Sequence, residues 1–121
     1  HPFPDVRADK TRMIGVLQNL IANAIKFMGK QESPHVIIGT SGVDKNGYPI
    51  FFVQDNGIGI DPQYHELVFG LFNRLDSSTT GTGIGLALVK RIIETHGGRV
   101  WVESEGHNHG CTFYFSLPPA V

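Results

Sequence analysis

The sequence predicts an α+β domain in which about three helices cover one face of a mixed, mostly antiparallel sheet. Three observations predict it. Two stretches of helical spacing, near 9–28 and 86–96, each stop at glycine. Two pairs of β-branched and aromatic runs are each joined by a turn rich in glycine, as hairpins are. Strands follow helices instead of alternating with them, which leaves too few βαβ units for a doubly wound parallel sheet.

The first helix starts near Asp9, a good N-cap, and runs to about Met28 before Gly29. Ile14, Leu17, Ile21, Ala24 and Met28 step by three and four and predict its core face, with Asn19, Asn23 and Lys26 on roughly the opposite side. Val36 to Thr40 and Tyr48 to Val53 form a hairpin around Asn46-Gly47, after a short edge strand at Asp5 to Ala8. From Asp61 to Thr80 the pattern weakens to a short helix through Val68 and an apolar knot of Phe69, Leu71 and Phe72. So long a stretch with little regular structure predicts a mobile lid or binding loop. Leu86, Val89 and Ile93 then carry a helix to His96, stopped by Gly97-Gly98. Arg99 to Glu103 and Cys111 to Leu117 make the second hairpin.

At 121 residues this is one domain, 1–121, able to bury a core but too small for a two-lobed enzyme. A net charge of −1 gives no broad electrostatic footprint for nucleic acid or anionic lipid, so any anion site must be built locally. Cys111, the single cysteine, has no internal partner and reads as a small core residue. No apolar run is long enough to span a membrane. The opening His1-Pro2-Phe3-Pro4 reads as the cut end of a longer protein, whose parent is soluble or membrane-bound.

Three places could carry chemistry. Gly81, Gly83 and Gly85 stand before a helix, where backbone N–H groups and the helix dipole favour a phosphate; the alternative is a plain flexible loop. The spacing G-x-G-x-G matches neither the dinucleotide nor the P-loop fingerprint. Asn19, Asn23 and Lys26 are the second place. Asparagine costs up to about 0.7 kcal/mol relative to alanine inside a helix, so two of them one turn apart suggest amides in use, the alternative being an ordinary solvated face. Amide oxygens suit Mg²⁺, and a lysine suits phosphate. The third is Asp55, which ends an apolar run and is followed by Asn56-Gly57-Ile58-Gly59-Ile60. A carboxylate there could accept from an exocyclic amine while glycines let a flat ring approach, or the stretch is simply a turn. Among the histidines, His107-Asn108-His109 lacks further ligands for a metal, and His96 reads as a helix C-terminal residue facing the negative end of the dipole.

The blocks N-L-I-A-N-A-I-K-F (19–27), D-N-G-I-G-I (55–60), V-F-G-L-F-N-R-L (68–75), G-T-G-I-G-L-A-L-V-K (81–90) and G-C-T-F (110–113), in this order, resemble the ATP-binding catalytic domain of sensor histidine kinases. That family sits in the wider superfamily of gyrase, heat-shock chaperone and mismatch-repair ATPases. The resemblance spans nearly the whole chain and implies a Bergerat-type two-layer α/β sandwich holding Mg-ATP between its helices and a mobile lid. It implies Asn23 as the principal Mg²⁺ ligand, with Asn19 beside it and Lys26 near the phosphates. Asp55 would bind the adenine amine, Gly57 and Gly59 would shape the base pocket, and Thr112 would join the water network around the base. Gly81, Thr82, Gly83, Gly85 and Leu86 would frame the triphosphate, Phe69 and Phe72 would anchor the lid, and Arg74 would reach phosphate or the partner domain.

The hydrolysing members of that superfamily place a glutamate where this chain has Asn19, so the resemblance favours phosphoryl transfer by positioning over attack by water. No histidine here stands in an acceptor-like helix. The implied partners are therefore a helical dimerisation and phosphoacceptor domain and, through the whole kinase, the receiver domain of a response regulator, with no nucleic acid. The implied location is cytoplasmic, the fragment monomeric and the parent a homodimer. A degenerate nucleotide-binding or interaction module, an ATPase and a serine/threonine kinase stay open as alternatives.

Overall fold

The computed structural model describes residues 6, 8–26, 28–29, 33–59, 67–69, 85–104 and 110–119. Helix α1 (Lys10–Lys26) is followed by β1 (Val36–Val43), β2 (Pro49–Asp55), a 3-10 turn (Leu67–Phe69), α2 (Gly85–Thr95), β3 (Arg99–Glu103) and β4 (Cys111–Ser116). The strands form one sheet in the order β1-β2-β4-β3, and every pairing among them is antiparallel. The expected two-layer architecture is present. The described strands include no parallel pair, and two α-helices and the 3-10 turn stand where about three helices were expected.

Local chemistry sets the ends of these elements. Asp9 caps α1, its Oδ1 accepting the Arg12 N–H at 3.1 Å. Helix α2 closes in a Schellman motif: the Gly98 N–H donates to the Ile93 carbonyl and the Gly97 N–H to that of Glu94, both at 3.0 Å, with Gly97 at φ 87°. In the first hairpin Asp44 Oδ1 accepts the N–H groups of Asn46 and Tyr48 at 2.8 and 3.0 Å. Strand β1 extends past Thr40 to Val43 because a register shift between those residues lets the pairing resume opposite Pro49. The edge strand expected at Asp5 to Ala8 is, among described residues, one bridge between Val6 and Pro119.

Both helices lie on one face of the sheet, and the core between the layers is drawn from Val16, Leu20, Val53, Val89, Ile93 and Phe113. The stripe expected on α1 is turned. Val16, Leu20 and Ala24 are buried, whereas Ile14 is 47% exposed. Apolar residues spread over about half the circumference of α1 (Met13, Ile14, Val16, Leu17, Leu20, Ile21, Ala24, Ile25), wider than one core stripe, so spacing alone leaves its phase open, and packing on the sheet and α2 sets it. The turn carries Asn19 and Asn23 to the half-buried flank of the core face, not to the opposite side. Phe69 is buried against Phe113, edge to face at 5.9 Å. On the other face of the sheet Trp101 stacks on Tyr114 at 5.4 Å, and Phe52 lies beside Tyr114.

Candidate nucleotide site

Asp55 is the last residue of the central strand β2 and is 5% exposed. Strand alternation aims it at the helical layer, and the next residues leave the sheet. Its Oδ1 accepts the Gly57 N–H at 2.9 Å, and the Cys111 N–H also faces the carboxylate. Burial pushes the Asp55 carboxyl above its ordinary value, and these two backbone donors pull it part of the way back. The result is an oriented acceptor in a largely apolar wall. Of the two glycines after it, Gly59 takes φ 78°, while Gly57 is buried at ordinary φ.

A second group forms where α1 meets the start of α2. The Asn19 Nδ2 donates to the Gly15 carbonyl at 2.9 Å, which leaves Oδ1 directed at Gly85, the first residue of α2. A Cβ on Gly85 would stand 2.9 Å from that oxygen. The N-terminal end of α2, whose first N–H groups have no acceptor within the helix and whose dipole end is positive, thus sits beside the asparagine flank of α1. Asn23 is half-buried one turn on, Lys26 is exposed in the last turn, and Leu86 packs on the core. Among the described residues no cluster of three histidine, cysteine, aspartate or glutamate side chains could hold a metal. The donors on α1 are amide oxygens, hard ligands that fit Mg²⁺ when it shares its shell with water and phosphate. Gly81, Thr82, Gly83, Arg74 and Phe72 lie outside the described residues.

Thr112 is not brought to Asp55. It pairs with Gln54 and Glu103, so the alternation of β4 puts it on the sheet face away from the helices and puts Cys111 opposite Asp55. Cys111 is buried, and burial followed by the Asp55 charge pushes its thiol well above the ordinary range, as an inert core thiol requires.

Comparisons with known proteins agree with this fold. Residues 8–121 match the family described as histidine kinase-, DNA gyrase B- and HSP90-like ATPase. The chain belongs to this family. Within it, the chain is similar to the ATP-binding modules of sensor kinases. It is 47% identical over 116 residues to the methanogenesis regulatory histidine kinase FilI of Methanothrix harundinacea, covering 96% of this chain and 13% of that protein. It is 50% identical over 118 residues to the phytochrome-like protein Cph1 of Synechocystis, covering 96% of this chain and 15% of that one. The solved structure of full-length ShkA in complex with AMPPNP superposes with a TM-score of 0.83 at 35% identity, over 99% of this chain and 24% of that one. The sensor-kinase ATPase module seen here is thus a small part of each relative's length. Among its described residues no helix is long and apolar enough to cross a membrane.

The contacts of two residues at the turn after Asp55 were not legible in the sequence blocks that contain them. Gly110, at φ 72°, donates its N–H to the Gly57 carbonyl at 3.1 Å and so holds the turn after Asp55. Asn56 spends its whole amide on the segment before β1: Oδ1 accepts the His35 N–H at 2.9 Å, and Nδ2 donates to the Ser33 carbonyl at 2.8 Å. The only sequence signals were a glycine bounding a hairpin turn and an asparagine inside a glycine-rich one, and neither identifies a partner far away in the chain.

Proposed function

We propose that the domain binds Mg-ATP between the Asp55 turn and the α1–α2 junction and, as part of a longer kinase, supports transfer of the γ-phosphoryl group to a histidine. The acceptor sits on a helical dimerisation and phosphoacceptor domain, and a response-regulator receiver domain takes the group in turn. The observation that carries this reading is the placement of a buried, doubly oriented carboxylate on the same helical layer as the junction between Asn19 and the start of α2.

In this reading Asp55 accepts from the adenine amine, with Gly57 and Gly59 bordering the ring and Thr112 reaching it only through water around the edge of the sheet. The phosphates lie at Gly81, Thr82, Gly83, Gly85 and Leu86 and are met by Lys26, with Arg74 completing the charge around them. Asn23, with Asn19 beside it, holds the Mg²⁺, which would offset phosphate charge when bound. The chain's own contribution to transfer is orientation and charge, as phosphoryl transfer chiefly requires. Asn19 argues against hydrolysis: it is a neutral amide whose nitrogen is engaged with Gly15, so it cannot take a proton from water. The AMPPNP held by the ShkA relative is consistent with nucleotide binding here. The domain would work on the cytoplasmic side, as a monomer when isolated and within a homodimeric parent.

Calorimetric titration with ATP and ADP, with and without Mg²⁺, tests this on the native chain, Asp55→Asn and Asn23→Asp. Binding by the native chain, weakened by either change, is expected; no binding of either nucleotide by the native chain refutes the reading. Mixing the domain with helical phosphoacceptor domains should yield acid-labile phosphohistidine, and phosphoserine instead would move the assignment.

A further inference from the structure

The seam between α1 and α2 has a second end. There the first turns of α1 and the last turns of α2 enclose a cleft of about 400 Å³, lined by Arg12, Leu88, Arg91, Ile92, Thr95 and His96. Arg12 and Asn23 lie on the same flank of α1, about 16 Å apart at the helical rise, so this cleft is separate from the nucleotide end. His96 builds its wall. Its Nδ1–H donates to the Ile92 carbonyl at 2.8 Å, back onto the end of α2, and its Nε2 accepts the Asp9 N–H at 3.2 Å, which joins the two helices, so both ring nitrogens are engaged.

That leaves the guanidinium groups of Arg12 and Arg91 as the charged groups of the lining. Both residues are exposed, and among the described residues neither forms an ion pair. Asp9, the acid nearest to Arg12 in sequence, is occupied in capping α1. On α2 the one acid is Glu94, three residues from Arg91 and outside the lining. Leu88, Arg91, Ile92 and Thr95 are spaced i, i+3, i+4 and i+7 along one face of α2, where Leu88 and Ile92 make an apolar stripe, and Leu88 is 42% exposed.

We infer that this cleft docks an acidic amphipathic helix of a partner protein. Guanidinium forks match carboxylates in geometry, and carboxylates one helical turn apart fit two arginines flanking an aliphatic stripe. A free phosphate would satisfy the guanidinium groups but would leave the Leu88–Ile92 stripe and most of the cleft volume unfilled. A helix laid in the groove uses both.

The test titrates the isotope-labelled chain with a short helical peptide carrying two glutamates one turn apart and a leucine between them, at low salt. Amide shifts are expected at Arg12 and from Leu88 to His96, with those of Asp55 and Gly57 unmoved. Arg91→Glu in the protein, or glutamine for glutamate in the peptide, should weaken binding by about tenfold or more. Arg91 is exposed, so thermal unfolding of that variant and its ADP titration should match the native chain. Arg91→Ala serves if the glutamate variant does not fold. The inference is overturned by an absence of shifts at millimolar peptide, by equal binding of the glutamine peptide, or by binding indifferent to Arg91. It is also overturned if inorganic phosphate reproduces the shifts and displaces the peptide, which would make the cleft a simple anion site.

Discussion

Gly110 packs so closely on Asp55 that a Cβ at position 110 would run into the Asp55 carbonyl oxygen. Together with φ 72°, this makes glycine the residue that lets β4 approach the turn leaving β2. Gly110→Ala should therefore cost about 2 kcal/mol or more of stability and displace the turn that orients the carboxylate. Gly47→Ala is the matched control, since Gly47 shares the positive φ but has open space around its missing Cβ. Denaturant unfolding should show the larger loss at Gly110, and ADP affinity should fall for that variant alone.

Asp55 gives the site a pH dependence with opposite signs for binding and folding. Because burial raises its folded pKa, the carboxylate proposed to accept the adenine amine is lost as pH falls through that raised value, above the ordinary range near 3.9. ADP affinity should therefore begin to weaken before the pH falls to the ordinary carboxylate range. For the empty domain the sign reverses: the raised group favours folding most fully below its unfolded pKa, and that contribution disappears as pH rises through the folded value. Titrations across the acid range should show the affinity loss, and Asp55→Asn should bind weakly but without this acid limb. A native affinity that stays flat down to the ordinary carboxylate range would contradict it.

Gly85→Ala tests the contact between the helices at the proposed phosphate end. The new methyl would press on Asn19 Oδ1, which can yield by rotating, so the stability change should stay within about 1 kcal/mol. The rotation removes the amide oxygen from the start of α2, and nucleotide affinity should drop by about tenfold, with little further loss on adding Asn19→Ala. Additive losses would show that the two residues act independently.

Truncations along α1 test which way it faces. Leu20 is fully buried, so Leu20→Ala should cost about 2–5 kcal/mol. Ile14→Ala should cost less than about 1 kcal/mol, because Ile14 is half exposed. Thermal unfolding of the two variants separates this arrangement from the reverse, in which Ile14 would be the costly site.

The sequence by itself determined what depends on neighbours in the chain. The Asp9 cap, the Gly97-Gly98 stop and the Asn46-Gly47 turn are formed by residues within a few positions of their partners, so their chemistry is written locally. The ordered glycine and asparagine blocks likewise marked the family before any coordinate was known. Tertiary structure alone decided the phase of α1, because apolar residues spread over about half of that helix, wider than one stripe, and only the sheet and α2 select where within it the core falls. It also decided that β2 lies beside β4, a pairing across more than 50 residues that sets Cys111 opposite Asp55, carries Thr112 to the far face and brings Gly110 onto the turn. The charged cleft at the other end of the helix pair arises in the same way. Arg12 and Arg91 become neighbours only when α1 and α2 pack, and no spacing within either helix encodes that meeting.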